Sequence, residues 1–157
     1  MSRQTTFASD TPICGVDGCR AGWVAVHGTL AEPRISVFYD FAGLIAGLEP
    51  GTIVAVDMPI GLPARVTGGG RGPEQAIRPF LGQRQSSVFS IPARSAVEAT
   101  DYRAACEASL ATSDPPRKVS KQAFHLFPKI LEIDSCLRAD EELRARVIEC
   151  HPEFSFC

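Results

Sequence analysis

Cys14-Gly15-Val16-Asp17-Gly18-Cys19-Arg20-Ala21-Gly22-Trp23 joins an apolar run to an acid, a glycine-flanked reversal and a second apolar run. Ile13 to Val16 reads as a strand that delivers Asp17 into a turn, and Trp23 to His27 as the strand that leaves it. The pattern recurs forty residues on, where Ile53-Val54-Ala55-Val56 ends in Asp57 and Met58-Pro59 follows. Two strands that each finish in an aspartate set two carboxylates side by side if they are neighbours in one sheet. Oxygen donors so placed suit hard divalent cations such as Mg²⁺ or Mn²⁺.

Working outward, Ile35 to Tyr39 alternates as a third strand, so the first three strands are expected to form an antiparallel meander. Asp40 is placed to cap a helix whose apolar residues Phe41, Leu44, Ile45 and Leu48 recur at helical spacing, with Pro50-Gly51 as its stop. Ile53 to Val56 is apolar throughout, the pattern of a central strand covered on both faces. Pro59, Gly61 and Pro63 exclude regular structure from Asp57 to Pro63. Val66 to Gly72 is a glycine-rich loop without the spacing of a P-loop. Pro73 to Leu81 reads as a short helix with Pro73 at its first position, and Ser86 to Pro92 as irregular chain. Thr100 or Asp101 caps a helix to about Thr112. Ser120 opens another through Ala123, Phe124, Phe127, Ile130, Leu131 and Ile133, which Pro128 is expected to kink or restart. Glu141 to Arg146 reads as helix and Val147 to Cys150 as a fifth strand. Residues 1–11 read as a flexible tail and residues 12–157 as one domain.

Composition narrows the function classes. With 45% hydrophobic and 22% charged residues and a net charge of −2, the chain is not a basic protein that coats nucleic acid. Charge is uneven, since Arg65, Arg71, Arg78, Arg84, Arg94 and Arg103 face only Glu74, Glu98 and Asp101 in that stretch; this is a solvated surface or a face for an anionic substrate. The six cysteines (14, 19, 106, 136, 150, 157) form no Cys-x-x-Cys pair, which argues for reduced thiols and against zinc. No apolar leader and no run of membrane-spanning length stands out, so a cytoplasmic protein without a membrane partner is expected.

Six stretches carry a resemblance. Gly15-Val16-Asp17-Gly18-Cys19-Arg20-Ala21-Gly22-Trp23, Val56-Asp57-Met58-Pro59-Ile60-Gly61-Leu62-Pro63, and Leu81-Gly82-Gln83-Arg84-Gln85-Ser86-Ser87-Val88-Phe89 are the first three. Ser120-Lys121-Gln122-Ala123-Phe124, Pro128-Lys129-Ile130-Leu131-Glu132-Ile133-Asp134, and Val147-Ile148-Glu149-Cys150-His151-Pro152-Glu153 follow. In this order the chain resembles the DUF429 family of predicted ribonuclease H-like nucleases. The resemblance implies an α/β fold: a mixed five-stranded sheet flanked by helices, with the first and fourth strands adjacent. It also implies metal-dependent hydrolysis of phosphodiesters. Two departures stand out. Glu74 occupies a place where the family usually has Asp, and members usually continue past the His-Pro-Glu stretch, so the C-terminal helices and their metal-binding acid are expected to be missing.

The candidate catalytic residues are Asp17, Asp57 and Glu149, and the candidate metal ligands are these three with Glu153. Glu149, His151 and Glu153 share one face if the fifth strand runs on through Pro152. Arg20, Arg84 and Lys129 are candidates for holding substrate phosphate, the arginines by bidentate hydrogen bonds. Each has a plainer account: an aspartate that caps a turn, a solvent-facing arginine, a surface ion pair between Lys129 and Glu132, with Asp134 nearby, a structural His151. Ser86-Ser87 has no evident His-Asp partnership, and Trp23 and Phe89 read as core rather than stacking platforms. The expected activity is therefore a Mg²⁺- or Mn²⁺-dependent nuclease or phosphodiesterase on nucleic acid or nucleotide. The alternatives are a nucleotide-binding phosphohydrolase, because Asp-Gly-x-x-x-Gly between strands resembles the phosphate loop of actin-like ATPases, and a non-catalytic binding module. Self-association into a homo-oligomer is possible under any of them.

Overall fold

The computed structural model describes residues 10–155. Most of the tail expected over residues 1–11 lies outside the described residues. In chain order the elements are β1 (Ile13–Cys19), β2 (Gly22–Gly28), β3 (Pro33–Phe38), α1 (Phe41–Ala46), β4 (Ile53–Val56), β5 (Val66–Thr67) and α2 (Gly72–Ile77). After two short 3-10 segments, Arg78–Phe80 and Gly82–Ser87, come α3 (Arg94–Val97), α4 (Tyr102–Thr112), β6 (Ser113–Asp114), α5 (Lys121–Ala139), α6 (Glu141–Arg146), β7 (Val147–Glu149) and α7 (Pro152–Ser155). They form two compact units. One comprises the chain up to Met58 with Ser135–Cys150, the other Pro59–Asp134 with the residues from His151 on. No helix among the described residues is long and apolar enough to cross a membrane.

The first unit holds a mixed five-stranded sheet in the order β3-β2-β1-β4-β7. The meander β1-β2-β3 is antiparallel, and β1, β4 and β7 are parallel neighbours. The expected strand end at Val16 moves on: β1 continues through Asp17 and Gly18 to Cys19, and the reversal is the two residues Arg20-Ala21 between Cys19 and Gly22. Gly22 takes φ +130°, where any Cβ would run into the carbonyl oxygens of Phe38 and Tyr39. Aspartate and two glycines suggested a turn, but pairing of Asp17 with Val24 and Gly18 with Trp23 keeps them in the ladder.

Side-chain alternation gives this sheet two unlike faces. Cys14, Val16, Trp23, Ala25, Val54, Val56 and Val147 are buried on one of them. Trp23 meets Phe41 of α1 edge-on at 5.4 Å, and α1 is fixed at its start by the Asp40 carboxylate, which accepts from the Gly43 N–H at 2.6 Å. On the opposite face Val26, Ile35, Val37 and Ile148 remain exposed, Ile35 by 75%. The central strand β4 keeps Ile53 and Ala55 half-buried on that same face, and the fold is α/β, a mixed five-stranded sheet flanked by helices.

In the second unit β5 and β6 form a short parallel pair that the sequence did not suggest. Helix α5 is continuous through Pro128, so the second start that the proline could have marked does not occur. One lost N–H rung is outweighed by the buried series Ala123, Phe127, Ile130 and Ile133 at helical spacing, and Phe124 adds edge-on contacts to Tyr102 and Phe127. Before α2, the guanidinium of Arg71 is buried. Its Nε donates to Glu74 at 2.6 Å and its Nη1 to the carbonyls of Ile60 and Gly61 at 2.6 and 3.1 Å, tying down the irregular chain after Asp57.

Candidate functional site

The register of the parallel strands builds the site. Val16 pairs with Val56, and the Asp57 N–H donates to the Val16 carbonyl at 2.9 Å. Asp17 and Asp57 are thus the next step on adjacent strands, with backbones about 4.8 Å apart. Alternation sets Asp17 with Gly15, and Asp57 with Ala55, on the face opposite the buried Val16 and Val56. Asp17 is exposed and Asp57 half-buried. Both lie at the carboxyl ends of parallel strands, the edge at which open α/β sheets bind ligands. Arg20 lies exposed in the β1–β2 reversal at the same end.

The same register separates Glu149 from the pair. Glu149 is the partner of Val56 and so faces the other side of the sheet. The residue that follows, Cys150, donates its N–H to the Val56 carbonyl at 2.9 Å, the same relation that Asp57 has to Val16. The row across this edge is therefore Asp17, Asp57, Cys150. In a strand one residue of shift exchanges the faces, so a fifth strand could be recognised without its parity being legible. Nor do Glu149, His151 and Glu153 share a strand face: β7 stops at Glu149 and Pro152 starts α7.

Glu153 belongs to the second unit. There it accepts from the Ser87 hydroxyl at 2.5 Å, with His151 Nδ1 at 3.5 Å. Ser87 thus meets a carboxylate directly rather than an imidazole, which is not an arrangement that activates a serine nucleophile. Arg84 lies exposed in the 3-10 segment Gly82–Ser87, and Lys129 lies half-buried on α5. Asp134 holds Arg94 in a bidentate pair at 2.7 and 2.9 Å, and with Glu98 this hydrogen bonding raises the Arg94 pKa further above its ordinary value. Arg94 was read only as one of a basic stretch, because its partner Asp134 stands forty residues away.

Among the described residues no group of three or more His, Cys, Asp or Glu side chains is placed to hold a metal ion. Two carboxylates nonetheless fit one class of cation. Mg²⁺ is commonly bound through one or two carboxylates, the rest of its octahedron being water and substrate phosphate, whereas structural zinc takes four nitrogen or sulfur ligands.

A family model described as a protein of unknown function, DUF429, matches residues 15–157 and so includes both aspartates. Comparison with curated proteins and with solved structures gives no match.

Proposed function

The chain belongs to the DUF429 family, and from its paired aspartates we propose that it is a divalent-metal-dependent phosphodiesterase acting on nucleic acid or nucleotide. One observation supports this reading: the Val16–Val56 pairing and the Asp57 N–H bond to the Val16 carbonyl make Asp17 and Asp57 backbone neighbours toward the carboxyl ends of β1 and β4. Asp17 and Asp57 would hold Mg²⁺ or Mn²⁺. Such a cation, when bound, offsets the charge on the phosphoryl group and acidifies a coordinated water. Asp57 is fixed by its backbone bond to Val16, and Asp17 presents its carboxylate to solvent, where a large substrate has access. Arg20 supplies a planar donor pair for a non-bridging phosphate oxygen. Hydrolysis adds water across one P–O bond and leaves a phosphomonoester and a free hydroxyl. Glu149 and Glu153 have no part in this reading.

Cleavage of labelled single- and double-stranded DNA and of RNA, with Mg²⁺ or Mn²⁺ and with EDTA, tests it. Asp17→Asn and Asp57→Asn are each expected to lower the rate at least 100-fold with the fold retained by circular dichroism, and Arg20→Ala to lower kcat/KM about tenfold. Metal-dependent cleavage that survives both aspartate substitutions in pure protein would refute the assignment.

A further inference from the structure

The second unit contains a cavity of about 340 Å³ that the carboxylate pair does not account for. It is of the size that small-molecule sites take. The glycine turn at Gly69 and Gly70, Phe89, and the Arg117-Lys118 pair line it, and Asp114 is the acid among its lining residues. The polar groups in its wall are unequally used. Gly69 O accepts from Arg78 and from Ser90, Gly70 O from Gln75, Val88 O from Arg78, Arg117 O from Ser109 and Val119 O from Tyr102. These wall carbonyls are thus already engaged.

The donors are not. The side chains of Arg117 and Lys118 make no hydrogen bond or ion pair among the described residues, and the same holds for Gln122. The Arg117 guanidinium lies over Gly69, where a Cβ would come within 3.4 Å of Nη1. Against the single Asp114 carboxylate the wall sets two cations, Arg117 and Lys118, and the Gln122 amide, which favours a negatively charged ligand rich in acceptors. Beside its serines the wall has an apolar part, Val88, Ile91 and Pro92 being buried and Phe89 38% exposed, which a bare phosphate would leave unfilled. A planar ring laid on Phe89 fills that part.

We propose that this cavity is a binding site for a nucleoside monophosphate, its phosphate held by Arg117 and Lys118 and its base against Phe89. The site is independent of the metal-dependent reading above, because every residue it uses belongs to the second unit.

Calorimetric titration of the full chain in EDTA, with AMP, UMP, adenosine and inorganic phosphate, tests it at two salt concentrations. A mononucleotide is expected to bind one to one, more tightly than adenosine or phosphate, and more weakly at high salt. The Arg117→Ala/Lys118→Ala double variant should weaken it at least tenfold and flatten the salt dependence. Both side chains are exposed and unpartnered, so the melting temperature should not move. Phe89→Ala should weaken the nucleotide and leave inorganic phosphate unaffected. Asp17→Asn/Asp57→Asn should bind as the wild type does, whatever its nuclease activity. Absence of saturable binding, or affinity unchanged in the Arg117/Lys118 variant, overturns the site; phosphate binding as tightly as AMP overturns the nucleotide assignment.

Discussion

Glu74 is a structural carboxylate in a chain whose Asp17, Asp57, Glu149 and Glu153 were read as chemistry. It is buried against the equally buried Arg71, accepting from both its side chain and its backbone N–H. Removing one member of such a pair strands the other charge away from water. Glu74→Ala is expected to cost about 3–5 kcal/mol in denaturant unfolding, with the Arg71→Ala/Glu74→Ala double variant costing less than the two single changes together. Equal and additive losses would deny the coupling. Cys14 has a different consequence. Burial pushes its thiol from 9.0 up to about 11, so the folded state favours the neutral form. The stabilisation this represents is complete below pH 9 and is lost as pH rises through 11. Wild-type stability relative to Cys14→Ala should accordingly fall by about 2–3 kcal/mol across that window, and stay level below it. Below pH 9 the native thiol should also resist alkylation.

At the scale of elements, local signals carried far and parity did not. Strand β4 and the Asp40 and Asp101 caps stand where the sequence placed them, because an apolar run or a cap is decided by adjacent residues. Asp17 and Asp57 are backbone neighbours because each follows the last paired residues of the β1–β4 ladder, Val16 and Val56, and the apolar run before each acid made that legible although β1 itself runs on to Cys19. Glu149 does not join them, because the phase of β7 against β4 is a long-range property. The restart expected at Pro128 failed for the same reason: the rule against proline is local, and the packing that carries the helix past it is not. The two sheet faces give a direct check. Trp23→Ala, on the buried face, should cost about 3–5 kcal/mol, whereas Ile35→Thr on the exposed face should stay within about 0.5 kcal/mol. Comparable losses at both sites in urea melts would mean that the exposed face is covered in solution.

The whole chain is divided in a way that composition does not reveal. The first unit is left after Met58 and regained at Ser135, inside α5, whose apolar series runs on unbroken from Ile133 to Leu137, both buried. No linker composition marks the crossing. The returning segment is essential to the sheet. It supplies β7, whose residues Val147, Ile148 and Glu149 pair with Val54, Ala55 and Val56, and Arg146, whose guanidinium donates to the Thr52 carbonyl at 2.9 Å. Residues 1–58 alone would expose Ile53-Val54-Ala55-Val56 as an unpaired, wholly apolar edge, which invites pairing between chains. That fragment is expected to give no cooperative thermal transition by circular dichroism and to elute as aggregate on gel filtration, while the full chain melts cooperatively. A monomeric fragment with a sharp transition would show that β1 to β4 need neither β7 nor α6 to close the sheet.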